Sequence, residues 1–239
     1  ASGKLFLNGD GDWREVMVNR TPASTVTIGV NAGNDWQVCK VQVDAEGTSF
    51  ELGAADPAFD GEFRTPLMGA HQAVNAALAI AAATELGMAR DAIARGLASA
   101  EVPGMRLQWI ERVGVRWLND AYNANADSVR AALDTLAGLE VGGRKFVVLG
   151  DMAELGDQTV AAHREAGEHA AGVVDGLIAV GDKSETTATA AEKVGLRKVC
   201  AVADVDSAAE ELRGWLGEDD VVLLKASRAA RLERLMDLV

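Results

Sequence analysis

Phe146-Val147-Val148-Leu149, Leu177-Ile178-Ala179-Val180, Val199-Cys200-Ala201-Val202 and Val221-Val222-Leu223-Leu224 are four short apolar runs in the second half of the chain. Each is too short for a buried helix and long enough for a strand covered on both faces. Around them the spacing predicts helices near 128–139, 159–171, 184–194, 206–215 and 228–238. Strands and helices alternating at this pitch imply crossover units and a mostly parallel, Rossmann-like sheet over 105–239. Working back toward the N-terminus, Val102-Pro103-Gly104 reads as a hinge, because proline restricts the residue before it and glycine accepts unusual angles. Ahead of the hinge, helical spacing marks Gly69 to Leu86 and Arg90 to Ala98. Residues 1 to about 65 read as β-rich. Leu5-Phe6-Leu7 looks like an interior strand, and Val26, Ile28, Val30 and then Cys39, Val41, Val43 alternate with polar neighbours, the pattern of hairpins with one buried face.

The fold class expected is therefore α/β: a β-rich segment with two helices over 1–104, then a complete strand–helix domain over 105–239. The opening residues carry no initiator methionine and run straight into a strand, so the chain is expected to start in mid-fold. A formal net charge of -13 over 239 residues argues against nucleic acid or an anionic membrane surface as the main partner. No apolar run reaches membrane-spanning length. Cys39 and Cys200 stand far apart in apolar surroundings and read as reduced thiols of a cytoplasmic protein. The chain is expected to be monomeric.

Three suggestive strings fail on chemistry. Gly181-Asp182-Lys183-Ser184 lacks the glycine beside the lysine that a phosphate loop needs. His163 and His169 are six apart, about 600° of helical rotation, and so do not share a face as a zinc pair would. Gly9-Asp10-Gly11-Asp12 lacks the later ligands of a calcium loop.

Four segments remain. His71 and Asn75 sit at i and i+4 in the first turns of a helix. An asparagine there suits an adenine edge, and a cap with a solvated amide is the plainer alternative. Arg106 follows the hinge, where its planar fork would suit a phosphate or a surface ion pair. Asn119-Asp120-Ala121-Tyr122-Asn123-Ala124-Asn125 follows the strand Val115–Leu118 and precedes a helix capped by Asp127 or Ser128. Six polar residues with a tyrosine outside a strand's carboxyl end suit a ligand better than a plain turn. Lys225-Ala226-Ser227-Arg228 sets two cations and a hydroxyl at the next such position, fit for an anion or simply for starting a helix.

Taken in order, these segments resemble the Mur ligases. The shared pattern is Gly69-Ala-His71-Gln-Ala-Val-Asn75, Pro103-Gly-Met-Arg106, Asp120-Ala-Tyr122-Asn123-Ala-Asn125, Leu149-Gly150-Asp151-Met152-Ala-Glu154-Leu155-Gly156 and Lys225-Ala-Ser227-Arg228. Tyr-Asn-Ala-Asn with Gly-Asp-Met-x-Glu-Leu-Gly is similar to the branch that joins D-Ala-D-Ala to UDP-MurNAc-tripeptide. Gln72, Ala126 and Ala226 depart from the pattern, the last replacing a glycine. The resemblance implies an ATP-dependent amide ligase of peptidoglycan synthesis working through an acyl phosphate. It makes 1–104 the C-terminal portion of a central ATPase domain and 105–239 the C-terminal domain. It implies that Asn75 with His71 meets adenine, Asp120 the ribose, Arg106 the phosphates, and that Tyr122 lines the cleft, one nucleotide reaching both sides of the hinge when it closes. Asn123, Asn125, Lys225, Ser227 and Arg228 fall on the substrate side, the last three toward the dipeptide. The phosphate loop and the Mg²⁺ ligands of the family lie upstream of the stretch that Leu7-Asn8-Gly9-Asp10 resembles. This chain alone is therefore expected to hold no catalytic residue and to be inactive. Another Mur-like or folylpolyglutamate-type ligase and a stand-alone, non-enzymatic binding module are the alternatives.

Overall fold

The computed structural model describes residues 3–112 and 114–239, which leaves Ala1 and Ser2 of the opening stretch outside it. The chain divides into two compact units that meet between Glu101 and Val102.

The first unit carries a five-stranded sheet in sequence order: β1 (Lys4–Asn8), β2 (Ser24–Gly29), β3 (Trp36–Asp44), β4 (Gly47–Gly53) and β5 (Gly61–Thr65). The alternation in β3 to β5 folds as antiparallel hairpins, as the spacing implies. The first three strands do not. β1 and β2 run parallel, joined through helix α1 (Arg14–Arg20), which the sequence reading missed. No residue of α1 is buried, so it carries none of the apolar periodicity by which a helix is recognised. β2 and β3 are also parallel but pair only at Ile28–Trp36 and Gly29–Gln37, so β3 starts where β2 ends and no long crossover is needed. Asp10 does the work of an anchor: its carboxylate accepts the amides of Val30 (2.7 Å) and Asn31 (3.1 Å) and the Asn34 side-chain amide (2.9 Å). Helix α2 (Ala70–Glu85) lays Ala73, Val74, Ala77 and Ile80 on Ile28, Trp36, Val38, Phe50 and Leu52, and α3 (Arg90–Ala98) adds Ile93. Its alanine content favours the helix and lets it pack close to the sheet.

The second unit carries β6 (Gln108–Arg112), β7 (Val115–Asp120), β8 (Lys145–Gly150), β9 (Gly176–Val180), β10 (Val199–Val202) and β11 (Val221–Lys225), in the order β10-β9-β8-β11-β7-β6. Every pairing is parallel except β6 with β7. Strand β6 was not expected; its five residues are at most partly buried and present no clear apolar face. The intervening helices are α4 (Ala126–Gly138), α5 (Thr159–Ala171), α6 (Ser184–Lys193) and α7 (Val205–Arg213). Trp117, Phe146, Val148, Ile178, Val222 and Leu224 pack with Val205, Ala208 and Leu212 of α7 and with Leu232 and Leu235. The helix expected over 228–238 is broken: Arg228–Ala230 and Leu232–Arg234 form single 3-10 turns before the short α8 (Leu235–Leu238). Arg231, at φ 51°, interrupts the helical ladder, while Leu232 and Leu235 still reach the core.

Just before β11, buried Asp220 accepts the amides of Arg144 and Gly217, each at 2.7 Å, and the Arg144 guanidinium at 2.7 Å. Burial alone would raise its carboxyl pKa, but these donors outweigh it and hold the group below its ordinary value.

Candidate functional site

In the first unit, His71 and Asn75 are both exposed on the opening turns of α2, and the Asn75 amide donates to Gln72 Oε1 at 3.1 Å.

In the second unit the polar segments gather at the carboxyl ends of the parallel strands, where α/β sheets bind ligands. β7 ends in Asp120 and β11 in Lys225, and the strand register sets the two side by side. Lys225 Nζ lies 2.6 Å from Asp120 Oδ2 and donates to the Asn123 carbonyl at 2.8 Å, with its side chain 3% exposed. Asp120 Oδ1 accepts the Leu107 amide at 3.1 Å. The Tyr122 amide donates to the Met105 carbonyl at 3.2 Å, and the Arg106 guanidinium stacks 4.5 Å from the centre of the exposed Tyr122 ring. Asn125, rather than Asp127 or Ser128, is the N-cap of α4: its side chain accepts the Ser128 amide at 2.8 Å and Ser128 reciprocates. Arg228 is exposed, contacts Met105 Sδ and pairs with Glu233 at 3.1 Å.

A second cluster lies on the same edge of this unit, and most of it went unread in the sequence. After β8, the Asp151 carboxylate accepts the amides of Asp182 (2.9 Å) and Lys183 (3.0 Å), filling the anion-favouring start of α6 from within. Gly181 makes this possible: at φ 109°, a Cβ there would meet Asp151 at 2.6 Å. Ser227 joins the same knot, donating its amide to the Asp151 carbonyl (3.1 Å) while its hydroxyl accepts the Ala153 amide (2.8 Å). Buried His163 accepts the Met152 amide on Nε2 (3.0 Å) and lies on Nδ1 2.7 Å from the Thr159 carbonyl, which fixes the proton on Nδ1. His169 faces Asp134 instead, 2.7 Å away.

This knot walls a crevice of about 410 Å³, a size suited to a small ligand. Asp182, Asp204 and Asp206 line it together with Ser227, Arg231 and Arg234. Asp204 caps α7, and the Ser207 amide holds its carboxyl below the ordinary pKa and therefore charged. Lys225 and Arg228 are not among its walls. Arg231 and Arg234 were missed because the expected helix is replaced by two 3-10 turns, with Arg231 between them and Arg234 at the end of the second. Ala226 needs no glycine backbone angle; its methyl instead takes up space that Gly150 leaves, since a Cβ on Gly150 would approach it to 2.7 Å. Among the described residues no three His, Cys, Asp or Glu side chains gather as metal ligands do.

Residues 105–228 match the family model of the Mur ligase glutamate ligase domain, and residues 1–83 match that of the Mur ligase middle domain. The chain belongs to the Mur ligase family. It is 33% identical to UDP-N-acetylmuramoyl-tripeptide–D-alanyl-D-alanine ligase of Bacillus subtilis, over 99% of this chain and 51% of that enzyme. A crystal structure of MurF from Acinetobacter baumannii superposes with a TM-score of 0.85 at 27% identity, covering 99% of this chain and 51% of that one. MurF from Thermotoga maritima in complex with ADP gives 0.78 at 27% identity, covering 99% and 53%. The chain thus spans about half the length of these Mur ligases. His71 and Asn75 fall in the middle-domain match, and Arg106 to Arg228 in the second match, which stops short of Arg231 and Arg234.

Proposed function

We propose that this chain is part of an ATP-dependent amide ligase of peptidoglycan synthesis that joins D-Ala-D-Ala to UDP-MurNAc-tripeptide, and that its crevice receives the dipeptide. The observation that carries the reading is the charge layout of the crevice. Carboxylates of Asp182 and Asp204 share it with the cation Arg231, while Asp206 and Arg234 pair with each other at 3.2 Å, and this mixture of both signs suits a small zwitterion. Identity to ligases of this name over 99% of the chain supports the same reading. Asn75 with His71 is assigned to adenine, Asp120 to the ribose, Arg106 to the phosphates and Tyr122 to the cleft wall. Asn123 and Asn125 are placed toward the substrate side of the β7 loop. The chemistry proposed is attack of the dipeptide amine on an acyl phosphate made from ATP, which forms the amide C–N bond, breaks the acyl C–O bond and releases inorganic phosphate and the amine proton, with this chain binding and orienting the amine. Mg²⁺, which the reading also calls for, finds no ligand set among the described residues. Cytoplasmic location and a monomeric state belong to the same proposal.

The test is titration of the ¹⁵N-labelled chain with D-Ala-D-Ala. Shifts confined to amides of Gly181–Lys183, Ser227 and Arg231 are expected. Arg231→Gly, chosen because φ 51° suits glycine, should weaken binding about tenfold by removing one charge-assisted contact. Shifts confined to the β7 loop would move the dipeptide out of the crevice.

The division of the chain is placed at the hinge, with 1–104 the end of the middle domain and 105–239 the C-terminal domain. Val102, Pro103 and Gly104 are all exposed. Limited proteolysis followed by mass spectrometry should leave a stable fragment beginning near residue 105. First cuts inside 140–220 with the hinge intact would show the boundary misplaced.

A further inference from the structure

We infer that Lys225 is a positioning residue, which acts through Asp120 to hold the Met105–Leu107 turn and with it the aim of Arg106. The inference rests on the proposed nucleotide role of this loop only for its consequence in catalysis.

Lysine is almost never fully buried unless paired, and Lys225 is buried and paired. Its ammonium spends two donors inside the protein, on Asp120 Oδ2 and on the Asn123 carbonyl. Such a pair is a poor means of stabilising a core, since removing both charges from water offsets much of their attraction. What this one does is fix a carboxylate. With Oδ2 held by Lys225, Oδ1 is directed at the Leu107 amide, 3.1 Å away. Leu107 and Met105 both sit in the left-handed region, at φ 47° and 60°, which side-chain-bearing residues seldom enter unless their surroundings hold them there. The same turn is tied by the Tyr122 amide on the Met105 carbonyl and by the Met105 amide on Gln108 Oε1 at 3.2 Å. Arg106 lies between the two strained residues, and its guanidinium rests on Tyr122. A line of direct contacts therefore runs from Lys225 through Asp120 and Leu107 to the direction of the Arg106 side chain, within one unit of the fold. On this view Lys225 touches neither nucleotide nor dipeptide.

The experiment compares the wild-type chain with Lys225→Met and Lys225→Arg by amide hydrogen exchange resolved per residue. In Lys225→Met, exchange at Leu107 should quicken by about tenfold more than at Ile178 and Val180 of β9, because only the local tie is lost. Lys225→Arg, which keeps a cation, should recover most of the protection. If Lys225→Met does not fold, Asp120→Asn takes its place, since it breaks the charge pair while keeping the shape. Exchange at Leu107 that stays at the wild-type rate, or rises only in step with β9, overturns the proposal. In the complete ligase, the same variant should raise the KM for ATP and leave that for D-Ala-D-Ala unchanged. A loosened Leu107 with an unchanged ATP KM upholds the positioning role and removes the nucleotide reading of the loop. A raised dipeptide KM with Leu107 undisturbed returns Lys225 to substrate contact and overturns the inference.

Discussion

Asp220→Ala should lower the stability of the second unit by about 3 kcal/mol at neutral pH, the low end expected for stripping one partner from a buried pair. The Asp220 side chain is 2% exposed, while its partner Arg144 is 47% exposed and can return to water, which places the loss at the low end. What cannot return to water so easily are the Arg144 and Gly217 amides, which lose their acceptor just where β11 enters the sheet. The effect has a sign in pH. The folded carboxyl titrates below its ordinary 3.8, so its stabilisation is complete above the unfolded value and is lost as pH falls through the folded one. Wild type and variant should therefore differ most above about pH 5 and draw together only as pH falls below the ordinary 3.8 toward the lower folded value. Urea unfolding at several pH values measures this, and a gap that stays constant to pH 2 would remove the ionised carboxylate from the account.

The second large effect is on activity. In the complete ligase, Asp120→Ala should raise the KM for ATP about ten- to a hundredfold, the equivalent of one charge-assisted hydrogen bond of roughly 1.5–3 kcal/mol. The KM for D-Ala-D-Ala should change far less, because Asp120 is not among the residues lining the crevice. Steady-state kinetics with each substrate varied in turn decides it. An unchanged ATP KM would take Asp120 out of the nucleotide site.

The parallel sheet of the second unit could be read from sequence because β9 and β11, and β8 beyond Lys145, are buried throughout, so their composition is dictated by the fold alone. The polar segment at the end of β7 was legible for a related reason: six polar residues within the ten from Asn119 to Ser128 are more than one turn needs. Elements whose identity depends on neighbours were not legible. Helix α1 and strand β6 contribute no fully buried side chain, so neither periodicity nor apolar content marks them. At the C-terminus, Leu232 and Leu235 satisfy a helix and a pair of 3-10 turns equally, and only the left-handed Arg231 separates the two. That ambiguity hid Arg231 and Arg234. Lys225 was visible as a cation after a strand, but whether it faces a ligand or an internal carboxylate is set by the register between β11 and β7, strands a hundred residues apart in the chain.

The contact between Gly150 and Ala226 bears on how this sequence can drift. The two positions share room for a single methyl group, and in this chain residue 226 holds it. A mutation giving residue 150 a side chain meets an occupied space, and glycine at 226 would relieve only part of the crowding, because the Ala230 methyl would still lie 3.2 Å from the new Cβ. The order of substitution is thereby constrained, and the same replacement at 150 costs less with glycine at 226 than with alanine there. Because Ser227 follows directly and hydrogen-bonds the loop that begins at Asp151, any backbone shift that relieves the crowding at 150 and 226 is passed on to a wall of the crevice.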